Sequence, residues 1–259
     1  MIYLDNGATT YPKPQGVKSA VSKAISMFGA NHGRSGYDMS IKTGEEVYRA
    51  RLAVADFFNA DGAENIIFQP SCTQALNTVL KGCLKEGDHV AVSDIEHNAV
   101  MRPLKKLKKE KGISYTVVKT YPGNDELTVS SFRQAINADT KLLVCTHASN
   151  VFGFRLPVSR LAALAHFYNV KICVDAAQTA GVLPIDIKDN DIDYLCCAGH
   201  KGLYGLMGTG LLIMRRDDKL ETLIEGGTGT QSRIMYQPDE PPERYESGTQ
   251  NIPGICGLK

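Results

Sequence analysis

Five short polar clusters hold the residue types that could do chemistry: Ser71-Cys72-Thr73, Glu96-His97-Asn98, His147-Ala148-Ser149-Asn150, Asp175-Ala176-Ala177-Gln178 and Gly199-His200-Lys201. Lys201 is an amine at the end of an apolar run, beside His200 and ahead of Gly202, Gly205, Gly208 and Gly210. Glycines let other groups approach closely, and an amine desolvated there has a lowered pKa and can attack an aldehyde. Asp175 closes the run Lys171–Val174. Such an aspartate can cap a helix or bind a metal, or it can pair with a protonated pyridine nitrogen. At ~4 Å and an effective dielectric of ~20 that attraction is on the order of 4 kcal/mol before desolvation is charged against it. It keeps the ring cationic, the state in which it is an electron sink. Ser71-Cys72-Thr73 joins an apolar run to a helical pattern, so it is a helix cap or, through backbone N–H groups and the helix dipole, a phosphate site. His97 is either a structural histidine or a flat ring that can stack on another. Aldehyde, pyridine nitrogen and phosphate are the handles of pyridoxal phosphate, with Lys201 as its Schiff-base partner.

These clusters need elements to bring them together. Apolar, β-branched runs predict strands over Ile66–Gln69, His89–Ser93, Ser114–Val118, Leu142–Thr146, Lys171–Asp175, Tyr194–Ala198 and Gly210–Met214. Helical spacing predicts helices over Thr73–Lys85, Ala99–Lys111, Val129–Asn137 and Val158–Tyr168. Alternating strand and helix implies crossover connections and a mostly parallel sheet. The expected fold is therefore a three-layer α/β/α domain around a mostly parallel seven-stranded sheet. The last three strands lack clear helices between them, so at least one antiparallel strand is expected there. In an open parallel sheet, ligands bind beyond the carboxyl ends of the strands, and all five clusters fall there.

Residues 1–60 read as a turn-rich start, a helix, a glycine-containing loop from Asn31 to Gly36 and a long helix ending near Asn59. Residues 225–254 are rich in glycine, proline and polar groups, and a new helix begins near Pro253. The expected division is an N-terminal segment 1–15, a cofactor-binding large domain 16–250, and at 251–259 the start of a small C-terminal domain that is otherwise absent.

The 259 residues carry a net charge of +1, with 43% apolar and 22% charged residues. That gives no case for nucleic acid, whose binders carry a concentrated basic face. The basic run Lys105–Lys111 reads as a solvated helix face. No apolar run approaches the ~20 residues that span a bilayer, and no secretory signal opens the chain. The seven cysteines have no CxxC pair and no metal-type spacing, so reduced thiols, no metal and a cytoplasmic protein are expected. Cys196 and Cys197 should point to opposite faces of one strand. No G-x-G-x-x-G follows the first strand, which argues against a dinucleotide site.

The motifs Tyr3-Leu4-Asp5-Asn6-Gly7-Ala8-Thr9-Thr10, Glu96-His97-Asn98, Ser149-Asn150-Val151-Phe152-Gly153, Asp175-Ala176-Ala177-Gln178, Gly199-His200-Lys201 and Arg244-Tyr245-Glu246-Ser247-Gly248-Thr249 follow in this order over almost the whole chain. In them the sequence resembles the class V aminotransferases, and within these the cysteine desulfurase/selenocysteine lyase group. The resemblance implies a pyridoxal 5'-phosphate enzyme in which Lys201 carries the cofactor and shuttles protons, and His97 stacks on its ring. It places Asp175 at the ring nitrogen, Gln178 and Asn150 at the phenolic oxygen, and Thr73, His200 and the backbone near Cys72 at the phosphate. Thr249 would reach the phosphate of a neighbouring subunit in a homodimer.

Three departures from the family stand out. Ala198 replaces a serine or threonine hydroxyl that contributes to the phosphate, a loss of about 1.5–3 kcal/mol if nothing compensates. Gly7 replaces the commoner alanine. The family's C-terminal domain, with the arginine that grips the substrate carboxylate and the cysteine that accepts sulfur, has no counterpart up to Lys259, and none of the seven cysteines is assigned the acceptor role. The leading expectation is removal of sulfur from L-cysteine, or selenium from selenocysteine, to leave L-alanine, with a sulfur-acceptor protein as a possible partner. An aminotransferase, or a truncated cofactor-binding domain of little activity, are the alternatives.

Overall fold

The computed structural model describes residues 2–33, 36–215, 218–229 and 233–259; Arg34 and Ser35 of the early loop lie outside the described residues. Helices α1 (Gln15–Met27) and α2 (Asp38–Phe58) precede strand β1 (Ile66–Gln69). Then come α3 (Cys72–Cys83), β2 (His89–Ser93), α4 (Asn98–Lys111), β3 (Ser114–Val118), α5 (Asp125–Ala135) and β4 (Thr140–Thr146). The series ends with α6 (Val158–Phe167), β5 (Lys171–Asp175), β6 (Tyr194–Ala198), β7 (Gly210–Met214) and the short α7 (Ile252–Cys256).

The seven strands form one sheet in the order β1-β7-β6-β5-β4-β2-β3. Strands β2 to β6 pair in parallel, whereas β7 runs antiparallel to both β6 and β1. The antiparallel strand expected among the last three is β7, whereas β5 and β6, also joined without a helix, pair in parallel. Most strands are buried on both faces, as a sheet sandwiched between helices must be. One face packs on α3 and α4 and the other on α2, α5 and α6. Cys196 belongs to the first core and Cys197 to the second, the alternation expected of neighbours on a strand. All seven cysteines are free thiols.

Two elements differ from their sequence reading. Strand β4 begins at Thr140 rather than Leu142, because Thr140 pairs with His89 across a register irregularity and is buried despite the exposed Lys141 after it. Helix α5 begins at Asp125 rather than Val129: the Asn124 side chain accepts from Leu127 N–H, and Asp125 and Glu126 favour the first turn. Its apolar spacing shows only over the second half, and the chain turns extended at Ile136. At the far end, Ile252, Ile255 and Cys256 of α7 pack into the core shared with α2.

Candidate functional site

The carboxyl ends of β1, β2, β4, β5 and β6 meet along one edge, and the polar clusters that follow them line a single cleft of about 110 Å³. Eight of the nine expected residues meet there: Cys72, Thr73, His97, Asn150, Asp175, Gln178, His200 and Lys201. Thr249 is not among them; it lines a larger cavity, about 940 Å³, between α2 and the segment from Gly227 to Gln250. Size favours that cavity, but the smaller cleft is where an amine, a buried carboxyl, two imidazoles and a helix start converge. Chemistry rather than volume selects it.

Helix α3 supplies the anion end. Ser71 caps it, accepting from Gln74 N–H at 3.2 Å, and the first-turn N–H groups have no partner within the helix. The helix start reaches this position because Gly210 lacks a side chain: a Cβ there would lie 2.4 Å from the Ser71 carbonyl carbon. His200 borders the same cleft. Its Nδ1 is buried with no hydrogen-bond partner among the described residues, and burial, then the charges of Lys201 and Lys13, push its pKa down. An orphaned buried ring nitrogen beside a helix N-terminus is suited to an anionic ligand atom. The carbonyl of His200 is held from the N-terminal segment by the Thr9 and Thr10 hydroxyls, both at 3.1 Å, and by Lys13 Nζ at 2.8 Å. Thr9, Thr10 and Lys13 carried no site role in the sequence reading. The Tyr3–Thr10 motif was the signal for two of them.

Asp175 lies at the centre. Burial pushes its pKa up, opposed by the Ala177 N–H and the Cys72 thiol that donate to it and by the nearness of His97 and Lys201. Oδ1 accepts from Ala177 N–H at 2.9 Å and from Cys72 Sγ at 3.5 Å, while Oδ2 has no hydrogen-bond partner among the described residues. The aspartate therefore both organises its own loop and keeps an oxygen for a further donor. Cys72 is enclosed, and burial with the Asp175 charge pushes its thiol well up, so it acts as a donor and not as a nucleophile.

His97 caps α4: its Nδ1 accepts from Ala99 N–H at 3.1 Å, which assigns the ring proton to Nε2. The ring is thereby oriented by a helix start while its residue stays exposed at the cleft. Gln178 Nε2 donates to Gly7 O at 3.1 Å, tying the N-terminal segment to the cleft rim. The half-buried Lys201 enters from the turn after β6, where Tyr204 N–H donates to Lys201 O at 2.8 Å. Tyr204 takes φ 59°, a left-handed conformation uncommon for an aromatic residue and of the kind that collects at functional sites. Among the described residues no group of three or more His, Cys, Asp or Glu side chains could hold a metal, and no helix is long and apolar enough to cross a membrane.

A model of the class V aminotransferases matches residues 2–259. The chain belongs to that family. It is 34% identical over 263 residues to a probable cysteine desulfurase of Methanothermobacter thermautotrophicus, covering 99% of this chain and 64% of that protein. A solved apo cysteine desulfurase from Thermococcus onnurineus superposes with a TM-score of 0.91 at 32% identity, over 99% of this chain and 65% of the other. A structure described as SspA in complex with cysteine gives 0.85 at 28% identity, covering 100% of this chain and 71% of that one. The class V chain thus has the mostly parallel seven-stranded large domain of cysteine desulfurases, and it spans just under two thirds of the length of the first two relatives.

Proposed function

We propose that the cleft binds pyridoxal 5'-phosphate and that the protein releases sulfur from L-cysteine, leaving L-alanine and passing the sulfur to an acceptor thiol as a persulfide. The observation that carries this reading is the convergence of Lys201, Asp175, His97, His200 and the α3 start on one cleft. Family membership and the likeness to cysteine desulfurases support the choice of substrate. When bound, the cofactor supplies an electron sink that labilises bonds at the substrate Cα.

The residues divide the work by chemistry. Lys201 would supply the amine that holds the cofactor's aldehyde and a base at the substrate Cα. Asp175 Oδ2 pairs with the ring nitrogen. His97, with Nδ1 committed to the helix cap, offers one ring face for stacking and one N–H for donation. His200, Thr73 and the first turn of α3 take the phosphate, and with Ala198 in place of a hydroxyl the orphaned His200 Nδ1 gains weight. Gln178 and Asn150 face the phenolic oxygen. Thr249 serves the neighbouring site in a homodimer.

Adding pyridoxal phosphate should produce a visible absorption band that is absent in Lys201→Ala. With L-cysteine and dithiothreitol as acceptor thiol, alanine and sulfide should then appear in equal amounts. A wild type without the band refutes cofactor binding. A band with amino transfer only when a keto acid is added would make the protein an aminotransferase instead.

A further inference from the structure

Glu96 is a half-buried acid with an enclosed carboxyl oxygen that the proposed chemistry leaves unused. It stands between β2 and α4, immediately before His97, with its carboxyl turned inward. Oε1 accepts from Thr146 N–H at 2.6 Å and from the Ser93 hydroxyl. Oε2 is buried with no hydrogen-bond partner among the described residues. Thr146 sits opposite Asp175 in the β4–β5 register, and its hydroxyl reaches Asp175 O at 3.4 Å. Glu96 therefore grips the strand end beside the aspartate while belonging to the loop that carries the histidine.

We propose that Glu96 is a positioning residue that works as a neutral, protonated carboxyl, tying the His97 loop to the end of β4 and leaving Asp175 as the buried anion beneath the cofactor. Geometry is the first support. A carboxylate offers about four acceptor sites over two oxygens, yet only one oxygen is served, and a bare buried anionic oxygen is costly. The surroundings are the second. The ionisable groups that bear on it are Asp175 on β5 and Cys145 on β4, with His97 next along its own loop, and the ion pairs formed among the described residues give Glu96 no cation. Burial, then the Asp175 charge, push Glu96 up to about 8, against the opposing pull of the Ser93 and Thr146 hydrogen bonds. A second negative charge beside Asp175 would raise the aspartate's own pKa and weaken its claim to remain ionised.

The link to the cofactor rests on the function proposed above; the protonation state of Glu96 does not. Unfolding of the cofactor-free protein isolates the latter. A carboxyl with its folded pKa near 8 and its unfolded pKa near ~4.3 contributes stability below pH ~4 that is lost progressively as pH rises to about 8. Glu96→Gln keeps the acceptor oxygen and removes the titration. The melting temperature of the variant minus that of wild type should therefore grow from pH 5 to pH 8, by roughly 3 °C per pH unit for a chain of this size, and level off above. A difference that does not change with pH overturns the neutral carboxyl.

The positioning role has its own readout. Glu96→Gln should retain the cofactor absorption band and lose a wild-type alkaline transition near pH 8, whereas Glu96→Ala should weaken the band at every pH. A Gln variant as impaired as Ala overturns the role. If no protein shows a band, the proposed cofactor fails, and the melting series still decides the protonation state.

Discussion

Two enclosed glutamates, Glu96 and Glu246, solve burial in opposite ways. Glu246 stands beside β1, where Arg51 of α2 grips both its oxygens, Nη1 to Oε1 at 2.7 Å and Nη2 to Oε2. Phe68 N–H adds a donor to Oε1 at 2.6 Å and Gln250 Nε2 one to Oε2 at 3.3 Å. Arg51 is anchored in turn on Ile66 O, and its guanidinium lies 4.6 Å from the Phe68 ring centroid. Every oxygen of that carboxylate is used, and the cluster clamps α2, β1 and the segment that carries Tyr245 and Thr249. Glu96 has one oxygen served by neutral donors and the other bare. The saturated, charge-balanced cluster is an anchor, and the under-satisfied one lies beside the cleft, where a protonation state can matter.

The largest effect that would sharpen this contrast comes from the anchor. Arg51→Ala leaves the Glu246 carboxylate buried without its cation, and such losses cost about 3–5 kcal/mol; denaturant unfolding at pH 7 measures it. A loss below about 1 kcal/mol would mean that the pair is no anchor and would break the comparison. Next is Gly210→Ala. The added methyl would meet the Ser71 and Cys72 backbone, so overpacking of about 1–3 kcal/mol is expected, together with weaker phosphate affinity as the α3 start is displaced. Inorganic phosphate competing against the cofactor band reads the second part.

The smallest effect on stability, and the most telling, belongs to Asp175→Asn. Because burial holds the Asp175 pKa above its unfolded value, its contribution to stability is lost as pH rises, and the amide escapes that loss. The variant should melt slightly higher than wild type at pH 8, while cofactor affinity falls about tenfold or more with the lost charge pair. A variant that melts lower at pH 8 and still binds cofactor would make Asp175 a structural cap.

Much of the fold was legible because sheet strands buried on both faces are written as continuous apolar runs. The interior strands follow that pattern, whereas the largely exposed β3 is marked by its β-branched residues; the single early boundary that was missed, Thr140, is a polar residue paired across an irregularity. The start of α5 was hidden because its first turn is specified by the Asn124 cap and acidic residues rather than by apolar spacing. For the site, eight of nine expected residues share a cleft because they share a simple rule, the polar loop after a parallel strand. Thr249 follows no strand of that edge, and it lines another cavity of the chain.

By itself the sequence determined the layers, the strand edge and the residues that could do chemistry there, since periodicity and loop position are local properties of the chain. The tertiary structure alone decided which glutamate has a cation on its carboxyl. Thr146 lies fifty residues from Glu96, and Arg51 lies 195 from Glu246. The charge state of a buried acid depends on which donors and cations the fold brings to its two oxygens, and no spacing along the chain records that.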